Sequence, residues 1–362
     1  MPRILIIGAF GVDNWGDEAL LKSEIAELKK LAPDAEIRVL SRDPERTQEL
    51  HGVPAAQHFP LGHSWFRFRE VIETMGFARW ADFVILGGGG FFREKALPVW
   101  LAQVLGVRLF GGRKKRIFGW GLGAGEIGSC LGKFLARSIF KRIELATVRD
   151  RCSYQLLTGL GIPAGKLIVT ADSAFLLPPL KPAVKKEKKR KLVFAIRASR
   201  HLREDFPLIL SQFVGELVAD GWEVEFLAMQ SLGVDGDPRF TGQLARNFPV
   251  TVPTSLEEVF ESISSADAVI GMRLHSLIFA ALAGVPFLGL SYSPKVSAFC
   301  VESGAADFLM PAEKISLRGL KRAFEKLLKE PPKISLDFLR ERAAKNPDIF
   351  REFFLEGGSN NS

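Results

Sequence analysis

The alternation of short apolar runs with longer amphipathic stretches is what most constrains the fold of this chain. Apolar runs that end at Gly or Ser predict strands, and the stretches between them predict helices. The first series of strands predicted in this way is RILIIGAF, EIRVLS, DFVILGGGG, RIFGWGLGA, ELATVRD and KLIVTAD, with a helix at about 17–31. This alternation predicts a parallel sheet covered by helices on both faces.

A second series of the same kind begins after a stretch rich in Pro and Lys. Its predicted strands are KLVFAIR, EVEFLAM, ADAVIGM and PFLGLS, and its predicted helices lie near 205–219 and 255–264, after His275, at 316–330 and from Leu336. We therefore expect two doubly wound, Rossmann-like α/β domains facing a cleft. The predicted boundaries are 1–177 for the N-terminal domain, 178–191 for a basic linker and 192–362 for the C-terminal domain. The last helix is expected to pack back on the N-terminal domain.

Composition narrows the class of partner. The 362 residues carry a net charge of +8 with a pI near 9.4, which favours an anionic partner. The basic residues cluster at 113–116 and 181–191, and we interpret both clusters as solvated segments, with contact to an anionic membrane surface as the alternative. Neither cluster contains interleaved aromatic residues and no nucleic-acid-binding motif is present, so no nucleic-acid partner is predicted.

Cysteine content and apolar segments predict a cytoplasmic protein. The three cysteines are widely spaced and too few for a disulfide framework. The longest apolar stretch, 277–290, is too short to span a bilayer and contains Pro286, so no transmembrane segment is expected. The histidines show no spacing typical of a metal site, and no metal or cofactor is predicted.

Cationic residues follow the strands of the second series. Arg197 ends KLVFAIR, Arg273 and His275 follow ADAVIGM, and Lys295 follows PFLGLS. Because ligands bind at the carboxyl ends of parallel strands, these side chains are candidates for holding a carboxylate or phosphate. A structural role is the alternative, with Arg273 paired to an acid and His275 acting as a cap or core residue.

The strand ends of the first series carry glycines, acids and one arginine. The turn GAFGVDNWGDE presents Asn14, Asp17 and Glu18, which suit hydrogen bonds to sugar hydroxyls and equally suit helix capping. The runs GGGG at 87–90 and GAGEIG at 123–128 permit close backbone approach to a ligand or tight packing of turns. Arg149 and Asp150 are consistent with a ligand site or with a capped helix start.

One acidic pair lies outside these strand ends. Asp235 and Asp237 form a D-x-D pair, a spacing that also occurs where a metal holds a nucleotide sugar. Because a Gly and a Pro accompany it in VDGDPRF, a turn is predicted here instead.

Several of these segments together resemble the polysaccharide pyruvyl transferase family of the CsaB type. The segment GMRLHSLIFAALAGVPFLGLSYSPKVSAF at 271–299 is similar to the family's M-R-L-H element with its downstream Y-x-x-K. The similar elements elsewhere, in the family's order, are GVDNWGDEAL, GGGGFF, TVRDRCSYQLLTGLG and ADSAFLL. The chain departs from the family at 119–125, where GWGLGAG replaces G-Q-G-I-G-P, and at 172–175, where DSAF replaces D-P-A-F.

The resemblance implies a glycosyltransferase-B-like fold and transfer of a pyruvyl ketal from phosphoenolpyruvate to a sugar, with loss of phosphate. It implies His275 as the general acid. Phosphoenolpyruvate is a co-substrate in this scheme, and no cofactor is implied. The residues assigned to phosphoenolpyruvate are Arg273, Lys295, Arg197 and Arg149. The residues assigned to the acceptor are Asn14, Asp17, Glu18, Gly88 and Gly89.

The resemblance also implies a lipid-linked saccharide of the cell wall or cell surface as acceptor. The basic run 113–116 and the stretch SWFRFRE at 64–70 would then hold the protein against the inner face of the cytoplasmic membrane. Two other functions remain open from the residues alone. One is a glycosyltransferase that uses a nucleotide sugar on the same fold, and the other is a non-catalytic saccharide-binding protein.

Overall fold

A computed structural model shows two compact α/β units. The structure describes residues 1–59, 68–112, 114–180, 189–199, 201–231, 237, 248 and 250–358. The first unit comprises Met1–Gly11, Asp17–Leu177 and Arg340–Ser362, and the second comprises Val12–Gly16 and Pro178–Leu339. Most of the predicted linker, residues 181–188, lies outside the described residues.

The first unit is built on a parallel sheet of eight strands. These are β1 (Arg3–Ile7), β2 (Glu36–Ser41), β3 (Ala55–Gln57), β4 (Phe83–Leu86), β5 (Gly89–Phe92), β6 (Arg116–Ala124), β7 (Leu145–Val148) and β8 (Leu167–Val169). Their order in the sheet is β3-β2-β1-β4-β6-β7-β8, and β5 pairs with β6. The core residues of these strands are apolar on both faces, as a sheet covered on both sides requires.

The second unit has a parallel sheet of six strands. These are β9 (Lys191–Ala195), β10 (Glu223–Leu227), β11 (Val250–Thr251), β12 (Ala268–Gly271), β13 (Phe287–Ser291) and β14 (Leu309–Pro311). Their order is β11-β10-β9-β12-β13-β14, so the chain moves outward from β9 in both directions. This is the doubly wound order in which the strand sequence reverses at the centre. The prediction of two doubly wound α/β units is confirmed.

Helices connect the strands in both units. Those that begin in the first half of the chain are α1 (Trp15–Leu31), α2 (Pro44–His51), α3 (Phe68–Trp80), α4 (Leu97–Gly106), α5 (Cys130–Phe140) and α6 (Arg151–Gly159). Those in the second half are α7 (Phe206–Ala219), α8 (Leu256–Ser264), α9 (Leu274–Ala283), α10 (Pro294–Glu302), α11 (Leu317–Lys329) and α12 (Leu336–Gly358). Within the described part of the chain, none of the helices is both long and apolar enough to cross a membrane.

Local sequence explains where several helices begin and end. Asp150 precedes α6 and its carboxylate accepts from the Ser153 amide at 2.6 Å, while Ser255 caps α8 in the same way. Helix α9 ends at Ala283 and is capped by Gly284, whose φ of 68° is the left-handed conformation that glycine adopts without strain.

The last helix completes the core of the first unit. Phe350 of α12 lies 5.3 Å from Phe118 and 5.5 Å from Trp120 between ring centroids, and all three side chains are buried. Asn346 accepts from the Thr170 hydroxyl at 2.8 Å, which satisfies two buried polar groups. A stretch at the end of the sequence is therefore part of the fold of residues 1–177.

Candidate functional site

Three adjacent strands of the second unit are each followed by one of the predicted anion-binding residues. Arg197 comes two residues after β9, Arg273 two residues after β12, and Lys295 four residues after β13. Strands β9 and β13 both pair with β12, so the three positions lie at neighbouring carboxyl ends of one parallel sheet. The fold thereby brings these three cations to one edge of the sheet.

Arg273 is buried and held by Asp237. Its Nε lies 3.2 and 3.1 Å from the two carboxylate oxygens of Asp237, and its Nη2 donates to Oδ1. Asp237 also accepts from the amides of Met229 at 3.1 Å and Gln230 at 3.0 Å, at the carboxyl end of β10. Burial raises the pKa of Asp237, while Arg273, then Arg197 and the Gln230 amide oppose this rise. Asp237 thus fixes Arg273 in position and offsets its charge.

Tyr292 lies among the cations at the same edge. Arg197 Nη1 donates to Tyr292 Oη at 3.4 Å, and the Arg197 guanidinium carbon lies 5.2 Å from the centre of the phenol ring. Burial acts to raise the pKa of Tyr292, but Lys295, Arg197 and Arg273 outweigh it and lower the pKa from 10.0 to about 7. The phenol is therefore a titratable group of the site near neutral pH.

His275 is the second residue of α9 and packs against a glycine of the N-terminal turn. A Cβ added to Gly16 would lie only 1.9 Å from His275 Nδ1, so the ring occupies the space that any larger residue at position 16 would need. The ring centroid of Phe279 lies 6.0 Å from that of His275. Gly16 and Phe279 limit the orientations open to the imidazole.

The rest of that turn is hydrogen-bonded to the end of β10. Asn14 forms a bridge with Gln230, and the Trp15 amide donates to Met229 O at 3.1 Å. Asn14 was assigned to the acceptor, and the structure groups it with the second unit, beside the residues that bind Asp237.

The first unit holds Arg149 between two carboxylates. Its Nε lies 3.3 Å from Asp150 Oδ2 and its Nη1 lies 3.2 Å from Asp172 Oδ2, and all three residues are buried. A Cβ on Gly123 would lie 2.7 Å from the Arg149 guanidinium, which explains a glycine at that position in β6. Arg149 belongs to a different unit from the other three residues assigned to phosphoenolpyruvate.

Two of the predicted acceptor residues lie in the first turns of α1. Glu18 is buried, accepts from the Gly11 amide at 2.8 Å, and lies 2.9 Å from His51 Nε2. These contacts hold the turn after β1 in place. Asp17 is half-buried in the same turn of the helix.

Gly88 lies in the connection from β4 to β5 and contacts a buried glutamate, and Gly89 is the first residue of β5. Glu24 of α1 accepts from the Gly88 amide at 2.6 Å and is fully buried. Burial raises the pKa of Glu24 to about 8, and Asp172 and Asp17 add to the rise. A Cβ on Gly87 would lie 2.7 Å from Glu24 Oε2, so the position of this carboxyl requires glycine at residue 87.

Glu24 should make the stability of the protein depend on pH. The raised pKa means that the folded state keeps its proton above the ordinary glutamate value of 4.5. The stability that this proton provides is fully present below pH 4.5 and is lost as pH rises toward 8, by about 1.4 kcal/mol per pH unit. Glu24→Gln keeps an oxygen that accepts from the Gly88 amide and removes the titrating carboxyl. We therefore expect the free energy of unfolding of the variant to exceed that of the wild type by roughly 3–5 kcal/mol at pH 8.

Urea unfolding at pH 5 and pH 8 measures this difference. Glu352 of α12 is an exposed glutamate of the same unit, and Glu352→Gln is the matched control, for which no pH-dependent gain is expected. If the free energy of unfolding of Glu24→Gln differed from that of the wild type by the same amount at pH 5 and pH 8, Glu24 would be ionised at both pH values.

The basic run at 113–116 is only partly available for a surface contact. Arg113 and residues 64–67 lie outside the described residues. Lys115 donates to the carbonyls of Arg79 and Ala81, and Arg116 lies 2.9 Å from Glu144, so both stabilise the first unit. Lys114 is exposed.

The second unit thus offers two guanidinium groups, of Arg197 and Arg273, which can each donate two hydrogen bonds to one anion. It also offers the ammonium group of Lys295, the imidazole of His275 and the titratable phenol of Tyr292. Such a set can bind a ligand with two anionic groups and transfer protons near it. Among the described residues no group of three His, Cys, Asp or Glu side chains is arranged to hold a metal ion.

Sequence reasoning did not identify Asp237, Tyr292 and Glu24 as site residues. The sequence predicts a turn at Asp235 and Asp237, of which Asp235 lies outside the described residues, and the pairing of Asp237 with Arg273 spans 36 residues. Glu24 carries a readable signal, since an acid at i+4 between Leu20 and Leu28 interrupts the apolar stripe of α1. Tyr292 lies directly after a strand and is one of only two tyrosines in the chain.

Comparisons with known proteins show the family of the chain. A family model described as polysaccharide pyruvyl transferase matches residues 14–294, which is most of the chain. No curated protein sequence gives a significant match.

Solved structures with the same fold include epimerases and a glycosyltransferase. UDP-GlcNAc 2-epimerase from Methanocaldococcus jannaschii is similar with a TM-score of 0.67 at 14% identity, over 98% of this chain and 100% of that chain. The Neisseria meningitidis UDP-GlcNAc 2-epimerase bound to UDP-GlcNAc has a TM-score of 0.61 at 14% identity, over 98% and 100% of the two chains. The lipopolysaccharide outer core galactosyltransferase WaaB in its apo form has a TM-score of 0.52 at 14% identity, over 99% and 100%. At such identities these likenesses establish a glycosyltransferase-B-like fold alone.

Proposed function

The chain belongs to the polysaccharide pyruvyl transferase family, and we propose that its donor is phosphoenolpyruvate and that two hydroxyls of one sugar residue are the acceptor. Family membership makes the protein a transferase of polysaccharide pyruvylation. The identity of the donor, the lipid linkage of the acceptor and the membrane location are the parts that we propose.

The observation that carries the proposal is the position of Arg197, Arg273 and Lys295 at adjacent strand ends, with His275 in the first turn of the helix that follows Arg273. Phosphoenolpyruvate has a carboxylate and a phosphate, and these need several cationic donors at close range. Arginine suits the planar carboxylate or phosphate face and lysine adds a point charge. Asp237 keeps the Arg273 guanidinium oriented before the ligand arrives.

In the proposed reaction His275 donates its proton to the methylene carbon of phosphoenolpyruvate, which becomes a methyl group. The C2 carbon gains positive character and the first sugar hydroxyl attacks it, forming a C–O bond and losing its proton. The C2–O bond to phosphate then breaks, and a second hydroxyl of the same sugar closes the ketal. One hydroxyl proton restores His275 and the other leaves with phosphate.

The acceptor side of the proposal is a saccharide carried on a lipid at the inner face of the cytoplasmic membrane. Helix α5 supports a membrane contact, because it carries Leu131 and Phe134, 65% and 63% exposed. Exposed basic residues accompany them, Lys133 and Arg137 in α5 and Lys141 directly after it. Helix α5 itself contains no acidic residue, and a helix with apolar and basic residues on one exposed face is typical of binding to anionic lipid.

Thermal unfolding with phosphoenolpyruvate, UDP, GDP or ADP tests the donor. We expect phosphoenolpyruvate at 100 times its Kd to stabilise the wild type by about 2.7 kcal/mol, seen as a raised Tm. Lys295→Met should lose this rise because it removes a cation of the site. Lys329→Met, an exposed lysine of the same unit, is the matched control and should keep it.

Two results would contradict the donor assignment. A rise in Tm with one nucleotide and none with phosphoenolpyruvate would indicate a nucleotide-sugar glycosyltransferase. Saccharide binding that is unchanged when His275 is replaced, together with no release of phosphate from phosphoenolpyruvate, would indicate a non-catalytic binding protein.

Vesicle flotation tests the membrane contact. We expect binding to vesicles that contain anionic lipid and little binding to neutral vesicles, with a steep loss at high salt. Replacing Leu131 and Phe134 with Ser should weaken binding, whereas Leu208→Ser, at an exposed leucine of α7 in the second unit, should not. Equal recovery on neutral and anionic vesicles would argue against this contact.

A further inference from the structure

Tyr292 shares its surroundings with the cations assigned to the donor. It follows β13, is half-buried, and its hydroxyl lies 3.4 Å from Arg197 Nη1. Lys295 lies three residues further on, in the first turn of α10, and Arg273 is the third cation whose charge acts on the phenol. Lys295 acts most strongly on the phenol, then Arg197, and then Arg273, whose guanidinium is also paired with Asp237.

A phenolate in this position would compete with an anionic ligand for the same cations. The positive charges that favour ionisation of Tyr292 are those that would bind a phosphate or carboxylate. When a ligand neutralises them, the reason for the phenol to ionise is removed. Tyr292 should then regain a proton and become a hydrogen-bond donor facing the bound anion.

We propose that Tyr292 is a further residue of the anion site, which offsets the charge of Lys295 and Arg197 in the free protein and takes up a proton when an anion binds them. This inference rests on the proposed function, because that function assigns these cations to the donor. It adds a consequence, since binding of the anion and of one proton are linked and each strengthens the other.

The composition of the chain allows a direct test. Its only tyrosines are Tyr154 and Tyr292, so Tyr154→Phe leaves Tyr292 as the one phenol whose near-ultraviolet absorbance changes on ionisation. In this background we expect a titration midpoint near pH 7, as the lowered pKa of Tyr292 requires. Lys295→Met should raise the midpoint toward the ordinary tyrosine value, and the control Lys329→Met should leave it in place.

Sulfate and phosphoenolpyruvate serve as the two probe anions, each compared with chloride at the same ionic strength. Sulfate does not titrate in this range, so any pH dependence of its binding belongs to the protein. We expect sulfate to move the Tyr292 midpoint upward and its affinity to fall by about tenfold per pH unit above pH 7, because one proton is taken up on binding. In the full chain carrying Tyr292→Phe that pH dependence should disappear while the anion still binds.

The outcomes separate the inference from the proposed function. A midpoint near 10 without ligand, or a midpoint that neither anion moves, would overturn the inference. A midpoint that sulfate moves and phosphoenolpyruvate does not would support Tyr292 as part of an anion site while removing phosphoenolpyruvate as the donor. A midpoint that both anions move would support the inference about Tyr292 and also phosphoenolpyruvate as the donor.

Discussion

His275→Gln should lower the rate of phosphate release from phosphoenolpyruvate in the presence of acceptor by about 10²- to 10⁴-fold. Glutamine fills similar space and keeps polar atoms, but it has no proton to give to the methylene carbon near neutral pH. Because the anions are assigned to Arg197, Arg273 and Lys295, the loss should appear in kcat with little change in KM. Initial rates of phosphate release measure both constants.

Gly16→Ala tests the same imidazole without removing it. A methyl group at position 16 would need the space 1.9 Å from His275 Nδ1, so the ring must move from its place. We expect kcat to fall although the imidazole is still present. A His275→Gln variant with kcat within tenfold of the wild type would exclude His275 as the general acid. The Tm values of Gly16→Ala and His275→Gln show whether the two variants are folded.

Arg273→Ala should destabilise the second unit by about 3–5 kcal/mol, apart from any effect on ligand binding. The change leaves the fully buried carboxylate of Asp237 without the guanidinium that forms three contacts with it. A buried charge that has lost its partner is costly to keep ionised. Urea unfolding of the purified variant measures the loss.

Adding Asp237→Asn to Arg273→Ala should restore part of this stability. The amide oxygen of asparagine can still accept from the Met229 and Gln230 amides, and the uncompensated charge is gone. The two changes should therefore be less harmful together than the sum of each alone. Simple addition of the two losses would mean that the pair contributes no specific coupling. Loss of activity in Arg273→Ala alone is thus poor evidence for donor binding, and Lys295→Met is the better test.

Much of the fold follows from the sequence because strand and helix periods are local properties. Runs such as KLVFA and AVIG read as buried strands, and the residues after them fall at one sheet edge once the strands are parallel. This reasoning located Arg197, Arg273 and Lys295, whose roles stay predictions. The pairing of Arg273 with Asp237 depends on a contact between distant segments, which no local period encodes. The ionisation of Tyr292 depends on three charges that only the fold brings together.

The last helix has a consequence for how the chain is made. Phe350 closes the apolar face formed by Phe118 and Trp120, yet a ribosome adds it only after residues 178–339. Translation of that intervening stretch takes on the order of 10 s. Throughout this interval the first unit, although synthesised first, lacks its last layer, whereas by the end of the interval the second unit has every residue of its sheet. The order of completion of the two units is therefore expected to be the reverse of their order of synthesis, and the open face around Trp120 is the surface that nascent-chain chaperones would meet.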